Sequence, residues 1–279
     1  MRRDLPTTIY FDTCVFSYFA TAFREFPIDE DLRDHFAISP ISLLELLGRL
    51  AVADAKEETF TAVHTILKVF NPTKISILPW VDEAIRVCVF DLPQAPSEII
   101  SLLADVTHDV LRANSLDALN HKWDPLELRR HVEDAKNDAA TRYSELLDSF
   151  RRGEHKEAFA NRIALRAGFS LECMKVDEVT SRLCALWMYL SAKLDKDAAN
   201  KNFNPFSRVH KNDAFDAEQL VYLANPDYHF LTSDRKGFKH LAGTKQNSRI
   251  HFEPLETFKN PIEAAKLIRR IVTGSGSTR

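Results

Sequence analysis

Thr8-Ile9-Tyr10-Phe11-Asp12-Thr13 is the stretch that decides the fold. Four β-branched or aromatic residues in a row read as a buried strand, and the run stops on an acid. Further along, Ser39-Pro40 reads as a helix start, with Ser as N-cap and Pro at the first helical position. Ile41, Leu43, Leu44, Leu47 and Leu50 keep helical spacing behind it. Lys56 to Val69 reads as a second helix, stopped by Asn71-Pro72. Lys74 to Leu78 reads as a short strand, and Pro79 opens a helix to about Val89. Strand, helix, helix, strand, helix is the beginning of an α/β fold with a parallel sheet.

The same grammar returns late in the chain. Asn212-Asp213 reads as the cap of a helix with apolar positions Ala217, Leu220, Val221 and Ala224, stopped by Asn225-Pro226. His229 to Thr232 reads as a strand ending at Ser233-Asp234, Arg249 to Phe252 as another, and Ile262 to Ile271 as a closing helix. Between these halves the runs from Ile99 to Leu111, Leu126 to Phe150, Glu154 to Ala167 and Asp177 to Leu194 are helical, with charged opposite faces. The expected organisation is an α/β core over 1–92 and 205–272, an all-α insertion of three to five helices over 93–204, and a flexible tail over 273–279.

Composition narrows the chemistry. The chain has 279 residues but only 7 Gly, none of them between Gly48 and Gly153, so a glycine-rich phosphate loop fits nowhere. Cys14, Cys88, Cys173 and Cys184 form no Cys-x-x-Cys pair, which speaks against a zinc ribbon. No signal-peptide core or membrane-length apolar run stands out, so the expected location is the cytoplasm, with no membrane association. The formal charge of −3 hides a gradient. Basic and acidic residues number 8 and 11 before residue 80, 16 and 21 over 80–200, and 13 and 8 from 201 on. A basic last third suits a polyanionic partner, and equally a solvated surface.

What remains is carboxylates. Asp12 and Asp234 each follow a strand, and ligands of open parallel sheets bind beyond the carboxyl ends of strands. Asp213 and Asp216 lie three apart on one helix, and Glu45 sits in the second turn of a leucine-rich one. Each has a plain structural use as a turn, a cap or an ion pair. Together they repel one another by about 4 kcal/mol per pair at 4 Å and an effective dielectric near 20. Such a cluster calls for a cation or for protonation. Oxygen-only donors favour Mg²⁺ or Mn²⁺ over zinc.

Tyr10-Phe11-Asp12-Thr13, Ser39 to Leu47 with Glu45, Asn212-Asp213-Ala214-Phe215-Asp216 and Phe230-Leu231-Thr232-Ser233-Asp234 stand in an order that resembles the PIN-domain nucleases, over about 1–90 and 205–260. The resemblance implies a three-layer fold with a mostly parallel sheet, and an Mg²⁺- or Mn²⁺-dependent nuclease acting on RNA or DNA, with RNA favoured. Asp12, Glu45, Asp213 and Asp234 would hold the ion, Asp216 would be an additional ligand, and Thr13 and Thr232 polar supports. Asp216 could also supply the carboxylate that many compact members carry where Lys236 stands here. Arg235, Lys236 and Lys239 follow the last acid and are candidates for holding substrate phosphates, though solvated loop cations read the same way. A homodimer and an antitoxin-type protein partner belong to the same set of expectations, although the helical insertion departs from the compact toxins. Two alternatives stand beside the nuclease. One is a catalytically silent PIN-like scaffold that binds partners through the insertion. The other, ranked lower, is a haloacid-dehalogenase-type phosphotransferase, which needs a second acid where Cys14 stands.

Overall fold

β1 (Thr8–Phe11) is the middle strand of a five-stranded parallel sheet. The computed structural model describes residues 7–23, 29–52, 54–70, 76–169 and 175–274. The other strands are β2 (Phe36–Ile38), β3 (Ser76–Ile77), β4 (Tyr228–Thr232) and β5 (Ile250–Phe252), in the order β3-β2-β1-β4-β5. β1 is in register with β2 through Ile9 and Phe36, and with β4 through Tyr10 and Phe230. The chain first builds leftward from β1 and later returns to its right side. The carboxyl ends of β1 and β4 therefore flank the switch point, where such sheets open a crevice.

Alternation along β1 assigns its two faces. Phe11 meets Phe19, Phe36 and Phe70 at ring separations of 5.2, 5.2 and 5.5 Å, under α1 (Thr13–Phe23) and α4 (Glu57–Phe70). Tyr10 stacks on Phe230 at 5.0 Å and meets Tyr222 edge-on at 5.5 Å, on the opposite face. That face is covered by the 3₁₀ segment Glu218–Ala224 and by α5 (Val81–Phe90), which packs on it. Helices on both faces make the fold three-layered.

The expected helices and strands are largely present, with four corrections. Between β1 and the helix at Pro40 the chain holds α1, the short α2 (Glu30–Arg33) and β2, none of which the patterning announced. The α1 sequence TCVFSYFATAF is nearly all apolar or small, so it offers little amphipathic contrast to read. The second expected strand is seen at Ser76–Ile77 and stops before Leu78; Lys74, Ile75 and the stop at Asn71-Pro72 lie outside the described residues, as does Ser275 onward. Among the described residues the insertion holds six helices rather than three to five: α6 (Glu98–Arg112), α7 (Leu116–Asn120), α8 (Pro125–Arg151), α9 (His155–Arg166), α10 (Val176–Arg182) and α11 (Cys184–Ala199). The extra ones come from the short α7 and from a break at Leu183, whose backbone leaves helical geometry and splits one apolar run in two.

The fourth correction touches the site. Asn212-Asp213 caps nothing, because α12 (Arg208–Ala217) starts earlier, on Ser207, whose hydroxyl accepts the His210 N–H. Asp213 and Asp216 are both interior helical residues. The chain closes with α13 (Leu255–Lys259) and α14 (Pro261–Val272), the latter capped by the Asn260 side chain.

Candidate acidic site at the carboxyl end of the sheet

The site is built outward from Asp12. Its backbone N–H continues the ladder to Leu231 O at 3.0 Å, and its carbonyl accepts the Phe16 N–H at 2.9 Å, so it joins β1 to α1. Its Oδ2 accepts from Thr232 Oγ1 at 2.8 Å and from the Cys14 thiol at 3.3 Å. Burial pushes the Asp12 carboxyl up, the bonds from Thr232 and Cys14 pull it back, and the charge of Asp234 raises it again. Burial and the Asp12 charge likewise push the Cys14 thiol up, so it stays a donor rather than a thiolate nucleophile.

Thr232 ties the two strand ends together. Besides donating to Asp12, its Oγ1 accepts the Asp234 N–H at 3.0 Å. Asp234 then folds the following loop onto itself: Oδ1 accepts from Lys236 N at 2.8 Å and Oδ2 from Gly237 N at 2.9 Å. A Cβ on residue 237 would lie 2.2 Å from Asp234 Oδ2, so only glycine allows this closure.

Glu45 comes from α3 (Pro40–Gly48), which opens with Pro at its first position. Its Oε2 accepts from the buried Thr13 Oγ1 at 2.8 Å, and its Oε1 pairs with Lys136 Nζ at 3.2 Å. The α3 helix is anchored from below by Ser42, whose hydroxyl donates to Phe11 O at 2.8 Å and stands 3.2 Å from Gln219 Oε1. Gln219 is fully buried, and its carbonyl accepts the Tyr10 hydroxyl at 2.8 Å. This network locks α3, β1 and the 3₁₀ segment at fixed heights beneath the acids.

Asp216 completes the group. Burial pushes its carboxyl well up, Glu45, Asp12 and Asp234 push further, and Lys136 acts the other way. Among the described residues its carboxylate has no hydrogen-bond donor. Asp213, three residues earlier, is turned elsewhere. It pairs with Lys193 Nζ at 3.0 Å and lies 3.7 Å from His210 Nδ1, at the rim. Lys193 is shared with Asp197, which also accepts the Tyr143 hydroxyl at 2.6 Å. Between rim and centre stands Tyr189, whose buried phenol is pushed up by burial and by the charges of Asp213, Asp216 and Asp234.

Of the sequence-derived residues, the structure brings together Asp12, Thr13, Glu45, Asp216, Thr232 and Asp234, and leaves Asp213 compensated at the edge. Arg235, Lys236 and Lys239 are exposed. Lys236 meets Asp234 only through its backbone amide, and Lys239 Nζ lies over the Phe252 ring, 5.5 Å from its centroid. Sequence patterning had no means of finding Lys136, which reaches the site from the insertion, or Ser42 and Gln219 beneath it. Gly237 left a trace, since an Asp three residues before a rare glycine suggests a tight turn.

The donor set is oxygen only and carries more negative charge than its one ammonium offsets, which suits a hard divalent cation in kind and charge. As placed, no three His, Cys, Asp or Glu side chains among the described residues are disposed to hold an ion. Among the described residues no helix is long and apolar enough to cross a membrane. Comparison with protein-family models, with curated proteins and with solved structures finds no match for this chain.

Proposed function

We propose that this chain is a metal-dependent nuclease that hydrolyses phosphodiester bonds, with RNA the favoured substrate. The observation that carries the reading is the gathering of Asp12, Glu45, Asp216 and Asp234 at the switch point of a parallel sheet, where Asp216 meets the charges of three other acids. The order of the motifs along the chain, similar to the PIN-domain nucleases, supports the same reading.

In this account Asp12, Glu45, Asp216 and Asp234 hold Mg²⁺ or Mn²⁺. When bound, such an ion activates water and offsets the charge that builds on the phosphate as its bond breaks. The protein's own part is to fix the acids. Thr232 orients Asp12 from the side, Thr13 orients Glu45, and the amides of Lys236 and Gly237 hold Asp234. Without a cation, burial and the charges of Glu45, Asp12 and Asp234 hold the Asp216 carboxyl well above the usual carboxylate range.

The test compares wild type with Asp12→Asn on single-stranded RNA, single-stranded DNA and structured RNA, each with Mn²⁺, Mg²⁺ or EDTA. Cleavage with either ion, lost in EDTA and lowered at least ~100-fold by the substitution, is the expected result. Activity that survives both treatments overturns the proposal.

A further inference from the structure

The insertion does not stand apart from the acidic site. α8 packs against both α3 and α12, the two helices that carry Glu45 and Asp216. From it Lys136 extends inward until its ammonium pairs with Glu45 Oε1 at 3.2 Å, with Lys136 and Glu45 side chains only 16% and 19% exposed. The same ammonium lies 5.9 Å from the ring centroid of the fully buried Phe215, which fixes the direction of the chain. Thr13 holds the other Glu45 oxygen at 2.8 Å. Both oxygens of Glu45 are thus engaged, one by a hydroxyl and one by a cation.

We propose that Lys136 is a tethered counter-ion of the acidic cleft, which competes with a divalent cation for Glu45 and must give up that pair when the ion binds. The inference rests on the metal-site reading above and deepens it, because it makes the insertion a regulator of metal occupancy. Two observations support it independently. Glu45 is paired rather than free, and among the described residues no three acids are disposed to hold an ion as they stand. An ammonium on a four-carbon stem can leave Glu45 and swing toward solvent or toward a substrate phosphate, which a backbone donor cannot.

The experiment measures Mn²⁺ affinity directly, from the electron paramagnetic resonance signal of free Mn²⁺, on wild type, Lys136→Met and Lys136→Arg. Removal of the competing charge should tighten binding about tenfold or more in Lys136→Met, while Lys136→Arg stays near wild type. Equal or weaker Mn²⁺ binding by Lys136→Met overturns the role of Lys136, provided Asp12→Asn still abolishes binding. Failure of wild type and both variants to bind Mn²⁺ at millimolar concentrations sinks the metal site and this inference together. Thermal melts in EDTA give a second reading: the gain in Tm on adding Mn²⁺ should be larger in Lys136→Met than in wild type. An equal or smaller gain contradicts the competition.

Discussion

Asp216 and Glu218 are two residues apart, both at the junction of core and insertion, and they live in opposite electrostatic worlds. Glu218 is clamped by Arg142 at 2.8 and 3.0 Å and by Arg166 at 3.0 Å, and Arg166 also holds Asp82 at 2.7 Å. Burial works against the charge on Arg166, yet Glu218 and Asp82 more than restore it. Asp216 instead faces three other acids and a single shared lysine. A buried acid with two guanidiniums is a structural rivet between α8, α9 and the core. A crowded acid with no hydrogen-bond donor among the described residues is a cost that the fold carries for some other purpose.

The largest effect should come from Glu218→Gln, which takes the carboxylate charge from Arg142 and leaves Arg166 with Asp82 alone of its two acids, and should cost about 3–5 kcal/mol of stability in urea unfolding. Mn²⁺ binding per folded molecule should be unaffected. Next is Gly237→Ala. Its Cβ collides with Asp234 Oδ2, and the expected outcome is a stability loss of about 1–3 kcal/mol with Mn²⁺ affinity lowered about 10–100-fold. Asp216→Asn should do the reverse of Glu218→Gln. In EDTA the variant should be more stable by about 0.5–2 kcal/mol, while metal binding is lost. If Asp216→Asn and Glu218→Gln destabilise alike, the distinction between rivet and site fails.

A pH-dependent effect lies at the far edge of the sheet. His229 Nδ1 and His251 Nε2 are 2.8 Å apart on β4 and β5. Burial and Arg249 lower His229 to about 4, and burial, His229 and Arg270 lower His251 to about 4. The unfolded chain takes up these protons near the ordinary value of 6.5, and the folded chain does so only near 4. Stability from the pair is therefore complete above 6.5 and is lost as the pH falls toward 4. A His251→Phe variant should show a flatter fall of Tm with pH over that window; an unchanged slope would exclude the pair as its source.

Much of the fold was legible because parallel strands announce themselves. TIYF and HFLT are short apolar runs followed by acids. Asp12 and Asp234 share a crevice only if those strands are neighbours, and the pairing of β1 with β4 supplies that condition. Other features were hidden for physical reasons. β2 is three residues long and runs into Ser39-Pro40, too short for alternation to register. Asp213 and Asp216 share one helix, and spacing alone does not say which faces the sheet. Ser207 starts that helix earlier than expected, and Lys193 of the insertion draws Asp213 to the rim. Lys136 was invisible because its role depends on how α8 docks against α3 and α12, a tertiary fact with no local pattern.

The most direct test of the central claim is anomalous diffraction from crystals soaked in Mn²⁺. A peak is expected between the carboxylates of Asp12 and Asp216, with Glu45 withdrawn from Lys136, and no peak at Asp213. An empty cleft, or an ion held at the Asp213–Lys193 rim instead, would contradict it.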